Sequence, residues 1–243
     1  MGILGFIPAR GGSKGVKNKH LLPLLNKEVI LYTIDTARLS KQIDKIVVST
    51  DSDVIAKLCS DYGCEVIHRP AELALDVSPI EDAWRHAVEY LRTQGFKTEI
   101  LVNLYGNVPV RSNDIIDRVV DKIKETKADI VRTYTEVGKY HPAWMLSLNA
   151  QGDISPFYGV GNQAFRRQDL APAYIHDGAV DATRVETLFN PSIPFRGAFN
   201  QYNEVIKGVI QKQGETVEID TELDVAIAEA ILKRRSQVKN VGN

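Results

Sequence analysis

The chain has 243 residues, with 30 Lys plus Arg against 31 Asp plus Glu, a formal charge of −1 and 44% hydrophobic residues. That balance excludes a disordered chain and a nucleic-acid binder recognised by bulk charge, and the length suits one α/β domain whose core needs no staples. Cys59 and Cys64 are too few for a disulfide framework or a four-ligand zinc site, no run of about 18 apolar residues is present, and residues 1–7 lack the charged start of a secretory signal, so a cytoplasmic protein with free thiols is expected.

In chain order, short apolar runs at 3–7, 46–49, 66–67, 100–104 and 130–133 predict strands. Helix signals lie between them. Ser52 ahead of Asp53, Ile55 and Leu58 reads as a helix start. Ser78-Pro79-Ile80-Glu81 has the pattern of a capping box with Pro at the first helical position, opening a helix toward Tyr90. Ile115, Ile116, Val119, Val120 and Ile123 make one apolar helical stripe. Such alternation predicts an α/β fold, a mostly parallel sheet with helices on both faces, and ligands beyond the carboxyl ends of the strands.

Residues 137–194 break this rhythm. They hold Pro142, Pro156, Pro172, Pro191 and Pro194, and the aromatics Tyr140, Trp144, Phe157, Tyr158, Phe165 and Tyr174. We read an insertion with short strands inside a single domain spanning 1–243. A closing helix is expected from about Thr221 to Arg235, opened by a second capping pattern from Thr221 to Asp224.

Charge is unevenly spread. Residues 1–27 contain no Asp or Glu but carry Arg10, Lys14, Lys17, Lys19 and Lys27. At their centre is Arg10-Gly11-Gly12-Ser13-Lys14-Gly15, directly after the first strand. Glycines let backbone N–H groups turn toward an anion, and Arg and Lys supply countercharge, which is the chemistry of a triphosphate cradle. The spacing is neither that of a Walker A loop nor that of a dinucleotide fingerprint. At the other end, residues 214–230 have no Lys or Arg but include Glu215, Glu218, Asp220, Glu222 and Asp224. Glu218 and Asp220 alternate along an extended segment and share a face, and two carboxylates on one face suit Mg²⁺. Glu222 and Asp224 read more simply as favouring the positive start of a helix.

Several blocks together resemble the acylneuraminate (CMP-sialic acid) cytidylyltransferases: Ile7-Pro8-Ala9-Arg10-Gly11-Gly12-Ser13-Lys14-Gly15, Val48-Ser49-Thr50-Asp51, Arg69-Pro70-Ala71-Glu72-Leu73-Ala74, Arg167-Gln168-Asp169-Leu170 and Ile219-Asp220-Thr221-Glu222-Leu223-Asp224. The resemblance implies a Rossmann-like nucleotidyltransferase fold with a small inserted dimerisation subdomain, and hence a homodimer. It implies transfer of CMP from CTP to the anomeric hydroxyl of a 2-keto-3-deoxy sugar acid, with Mg²⁺ and release of pyrophosphate. Arg10 and Lys14 would hold and stabilise the phosphates, with Gly11, Gly12, Ser13 and Lys19 around them. His20, Arg69, Asp76 and Ser78 would lie by the nucleotide. Tyr105, Asn107, Arg111, Arg167, Gln168 and Asp177 would face the sugar, with Arg111 and Arg167 as clamps for its carboxylate. Asp220 and Glu218 would hold the metal, and Asp220 would take part in catalysis.

Three positions depart from that family's pattern. Tyr105-Gly106-Asn107-Val108-Pro109-Val110-Arg111 stands where the family has Gln-Pro-Thr-Ser-Pro-Leu-Arg. It is closer to the related 3-deoxy-manno-octulosonate cytidylyltransferases, but with Asn107 in place of their metal-binding Asp. His20 stands for the usual Asn, and Asp177-Gly178-Ala179 for Asn-Gly-Ala. A carboxylate at 177 predicts an acceptor other than N-acetylneuraminate, such as an amino-bearing or deoxy ulosonate. Two other functions fit parts of the sequence. A sugar-1-phosphate nucleotidyltransferase is disfavoured because its Gly-x-Gly-Thr-Arg loop is absent. A catalytically inactive CTP-binding regulator has only Asn107 and His20 in its favour.

Overall fold

A computed structural model describes residues 1–12, 15–157, 166–190 and 205–241. In chain order its elements are β1 (Gly2–Pro8), β2 (Pro23–Leu24), β3 (Lys27–Glu28), α1 (Val29–Leu39), β4 (Lys45–Thr50), α2 (Asp53–Asp61), β5 (Glu65–His68), α3 (Ile80–Thr93), β6 (Thr98–Asn103), α4 (Ile115–Thr126), β7 (Ile130–Glu136), β8 (Leu146–Leu148), β9 (Ile154–Pro156), β10 (Tyr174–Arg184), α5 (Val185–Leu188), β11 (Ile206–Gln211) and α6 (Glu222–Val241). All five apolar runs are strands, β1, β4, β5, β6 and β7.

One seven-stranded sheet has the order β11-β7-β10-β6-β1-β4-β5. Its pairings are parallel except those of β10, which runs antiparallel between β6 and β7. β1 shows why both faces are covered. Ile3 and Ile7 join a core with α1, α2 and α4, while Leu4 and Phe6 join a core with α3 and Leu188 of α5. Alternating side chains of one continuous apolar strand thus serve two helical layers. α6 closes a third cluster through Ala228, over Leu24, Val29, Val110 and Ile219.

Local signals meet mixed outcomes. The Ser52 hydroxyl accepts from the Ile55 N–H and caps α2. Thr221 and Asp224 form the reciprocal capping box: Thr221 N–H donates to Asp224 at 2.7 Å, and Asp224 N–H donates back to the Thr221 hydroxyl at 3.3 Å. The box at Ser78 does not form. Its hydroxyl donates instead to the Glu72 carbonyl at 2.6 Å, and Pro79 occupies the cap of α3 rather than its first turn. The inserted region is narrower than its composition suggests. β8 and β9 form a separate hairpin, but residues 174–184 are an 11-residue strand in the middle of the main sheet. Pro191 and Pro194, and Tyr158 and Phe165, lie outside the described residues.

Candidate active site

Three chain segments leave the carboxyl ends of β1, β4 and β5 and meet there. Gly11 N–H donates to the Asp51 carboxylate at 2.9 Å, which ties the first loop to the end of β4. Arg10 reaches Asp76 at 2.6 Å, past the end of β5. Arg69 is 7% exposed; its Nη2 makes only a long contact to the Ser49 carbonyl, 3.4 Å, and its Nε has no partner among the described residues. A buried guanidinium with an unmatched donor suits an acceptor-rich ligand. A Cβ on Gly12 would meet nothing within 4 Å among the described residues. Ser13 and Lys14 lie outside the described residues.

His20 sits beneath this loop, 5% exposed. Burial first, then the nearby charges of Lys19, Arg69 and Arg10, pull its pKa from 6.5 to about 4, so the ring is neutral at ordinary pH. A Cβ on Gly106 would fall 3.0 Å from the His20 ring and 3.1 Å from the Pro8 carbonyl. Glycine at 106 lets the Tyr105–Val108 turn rest on the histidine.

The acidic closing segment crosses from the other side. Lys19 Nζ bonds the Asp220 carboxylate at 2.7 Å, and a Cβ on Gly15 would fall 2.6 Å from the Asp220 carbonyl oxygen. The basic loop and the acidic segment, about 200 residues apart, therefore touch, and the contact requires glycine at 15. Asn107 pins the segment by backbone and side chain. Ile219 N–H donates to its carbonyl at 2.8 Å, and its amide donates to Glu218 Oε1 and the Ile219 carbonyl, both at 3.1 Å. Burial and the neighbouring Asp220 raise the Glu218 pKa, against the hydrogen bond from Asn107 and the charge of Lys19. Asp224 spends its carboxylate on the start of α6, and those hydrogen bonds outweigh burial to hold its pKa low.

Two expected sugar contacts are corrected. Arg111 is 2% exposed and its guanidinium is occupied internally. Nε donates to the Ala179 carbonyl at 2.7 Å, Nη1 to Val108 at 2.5 Å and to the Thr33 hydroxyl at 2.9 Å, and Nη2 to Tyr105 at 2.8 Å. Burial brings its pKa down to about 9. It is a brace behind the site, not a clamp within it. Asp177 is likewise committed: its carboxylate accepts from the Thr133 hydroxyl at 2.5 Å, the Ala179 N–H at 3.0 Å and Gln211 Nε2 at 2.6 Å. The substrate preference inferred from its charge loses its basis.

Asp177 belongs to a feature the sequence did not disclose. On β10, His176 pairs with Tyr134 of β7 and Asp181 with Arg132, so five steps on one strand match two on the other. Residues 177–180 bulge out, with Gly178 at φ +69°. A Cβ on Gly178 would lie 2.9 Å from Glu218 Oε2 and 4.0 Å from the Tyr105 ring. Bulges commonly re-aim side chains beside active sites. This one sets Tyr105, Glu218 and the bulge against each other. Tyr105 is so enclosed that burial, then the charges of Asp181 and Glu218, drive its hydroxyl pKa up. Near it lies a polar group the sequence reading missed: the buried Asn103, Arg132 and Asp181, with His176 half-buried beside them. Gln168 stands apart, beside Glu136, His141 and Leu170 around a cleft of about 300 Å³. The Arg167 side chain lies outside what is described.

Comparison with known proteins fits this arrangement. The cytidylyltransferase family model matches residues 4–156. An N-acylneuraminate cytidylyltransferase of Streptococcus agalactiae is 34% identical over 184 residues, 74% of this chain; the chain covers 43% of that relative's length. A CMP-N,N'-diacetyllegionaminic acid synthase of Legionella pneumophila is 28% identical over 240 residues, 96% of this chain and 97% of that protein. The fold matches CMP:2-keto-3-deoxy-manno-octonic acid synthetase, solved with CTP, at a TM-score of 0.71 and 18% identity over 97% of this chain and all of that one. With the family model covering more than half of its residues, the chain belongs to the cytidylyltransferase family.

Proposed function

We propose that this protein transfers CMP from CTP to the anomeric hydroxyl of a 2-keto-3-deoxy sugar acid and releases pyrophosphate. One observation carries the reading: the cationic loop after β1 and the Glu218–Asp220 segment converge at the carboxyl edge of the sheet, with Lys19 on Asp220. Such a reaction consists mostly of positioning and charge stabilisation. Arg10, Lys14 and Lys19 supply positive charge for the triphosphate and leaving pyrophosphate. Gly12 and Ser13 supply backbone donors and a hydroxyl, while the Gly11 N–H holds the loop to Asp51. Arg69, Asp76 and Ser78 border the nucleotide side. Tyr105, with Asn107 and Glu218 behind it, borders the acceptor side. Binding of the triphosphate would exchange the Arg10–Asp76 and Lys19–Asp220 pairs for phosphate contacts.

Mg²⁺ fits the donor set. Among the described residues no cluster of three or more His, Cys, Asp or Glu side chains is placed to hold a metal. Two carboxylates, Asp220 and Glu218, suit an ion that keeps waters and shares substrate phosphates. When bound, it would supply positive charge to the phosphoryl oxygens. The partner is a second copy of this chain. The β8–β9 hairpin and its flanks expose Trp144, Leu146, Leu148, Ile154 and Phe157, an apolar surface suited to a subunit contact. No helix of the described residues is long and apolar enough to cross a membrane. Cys59 and Cys64, buried free thiols, fit a reducing cytoplasm.

The test is pyrophosphate release with Mg²⁺ and each of CTP, ATP, GTP and UTP against a panel of ulosonic acids. Release with CTP and a nonulosonic or octulosonic acid is expected. An NDP-sugar formed from a sugar 1-phosphate, or CTP binding without turnover, would overturn the reading.

A further inference from the structure

The Val48-Ser49-Thr50-Asp51 block takes no part in the chemistry assigned so far. Val48, Ser49 and Thr50 are buried, and Asp51 is the first exposed residue after them, at the carboxyl end of β4. β4 lies next to β1, the strand that leads into the phosphate loop. Beyond Pro8 the loop first keeps to β4, with the Ala9 N–H donating to the Ser49 carbonyl at 2.9 Å. Two residues on, the partner becomes a side chain: Gly11 N–H donates to Asp51 Oδ1 at 2.9 Å. A Cβ on Gly11 would fall 3.1 Å from Ser52 Cβ and 3.9 Å from Asp51 Oδ2, so the loop rests closely on the start of α2.

The bond sits between the two arginines of the nucleotide side. Arg10 adjoins Gly11, and its guanidinium meets Asp76 at 2.6 Å, a pair that phosphate would exchange. The Gly11 N–H belongs to the backbone and is turned to β4, so it stays held when that pair opens. On the other side, the Arg69 N–H donates to the Thr50 carbonyl at 2.8 Å, one residue before Asp51. Burial lowers the Arg69 pKa, and the charge of Asp51 opposes this. A carboxylate near a triphosphate repels it. Charge toward the nucleotide therefore does not account for Asp51, whereas its hold on the loop does.

We propose that Asp51 is a positioning residue for CTP. Through the Gly11 N–H it fixes the backbone beside Arg10, so that the guanidinium and the Gly12 donor meet the triphosphate in one geometry. Asp51 acts through the loop rather than on the nucleotide itself. This rests on CTP being the substrate, as proposed above.

The experiment measures CTP binding by titration calorimetry with Mg²⁺, and pyrophosphate release with a sugar acid, in the wild type, Asp51→Ala and Asp51→Asn. Loss of one hydrogen bond to a charged acceptor is expected to weaken CTP binding about 10- to 100-fold in Asp51→Ala and to raise KM for CTP alike. KM for the sugar acid should stay within about twofold. Asp51→Asn keeps an acceptor for the Gly11 N–H and removes a repelling charge, so its CTP affinity should stay within about threefold of wild type. A merely structural role would lower Tm and disturb both substrates, with no rescue by Asn. CTP affinity within about twofold of wild type in Asp51→Ala overturns the assignment, as does an Asn variant as weak as the Ala variant or an equal rise in KM for both substrates. In each of these cases the proposed reaction stands. A wild type that binds no CTP overturns the reaction and the assignment with it. Asp51→Ser, whose hydroxyl reaches one bond less far, is the second variant if Asp51→Ala does not fold, judged by the same comparison.

Discussion

Arg111 separates a brace from a clamp. Replacing it with Met removes four hydrogen bonds, to the carbonyls of Ala179, Val108 and Tyr105 and to the Thr33 hydroxyl. At about 1 kcal/mol each, this loses about 4 kcal/mol. Part returns because Met does not carry a buried charge, whose burden shows in an Arg111 pKa brought down to about 9. We expect a net destabilisation of about 3 kcal/mol, or a fall in Tm of about 6–12 °C for a chain of this size. Urea and thermal unfolding read the first number. Steady-state pyrophosphate release at a temperature where the variant is folded reads the second, and KM for the sugar acid should stay within about threefold of wild type. An unchanged Tm with KM raised about tenfold or more would refute the brace and restore the clamp.

Other predictions follow from the same geometry. His20 is neutral when folded and has a pKa of about 4 against 6.5. The stability linked to it is therefore full above about 6.5 and is lost as pH falls toward 4, about 3 kcal/mol across that window. His20→Asn should flatten the urea-derived stability profile between these pH values, and an unaltered slope would contradict a buried neutral ring. Gly178→Ala places a Cβ 2.9 Å from Glu218 Oε2 at φ +69°, so kcat/KM should fall about tenfold or more, with a stability cost of about 1–2 kcal/mol. Asp220 is 61% exposed and paired with Lys19. Asp220→Asn should leave Tm within about 2 °C while cutting kcat about 100-fold or more. Near-normal kcat would remove Asp220 from the catalytic group.

Much of the fold was legible because apolar patterning and core position coincide. The continuous run of β1 had to be buried on both faces, and it is. The α4 stripe, Ile115 to Ile123, faces the sheet as its spacing requires. β10 was not legible. His176, Asp177, Asp181 and Arg184 interrupt its apolar pattern, since the strand carries a polar group at the carboxyl edge of the sheet rather than core on both faces. The Ser78 box failed for a local reason: its hydroxyl is drawn back to the Glu72 carbonyl. In the site, charge asymmetry along the chain identified both the basic loop and the acidic segment, and their contact through Lys19 and Asp220 spans the sequence. Arg111 and Asp177 misled because a charged residue in a motif reads the same whether its partners are substrate atoms or carbonyls and hydroxyls of the fold. The cluster of Arg132, Asp181 and His176 had no sequence signature, because a bulge creates it.

The most direct test of the account is identification of the product formed from CTP, Mg²⁺ and a ulosonic acid by ³¹P NMR and mass spectrometry. The account predicts a single phosphodiester linking CMP to the anomeric carbon, appearing in step with one equivalent of pyrophosphate. Consumption of CTP to any diphosphate-linked sugar, or no phosphodiester with any acid in the panel, would contradict it.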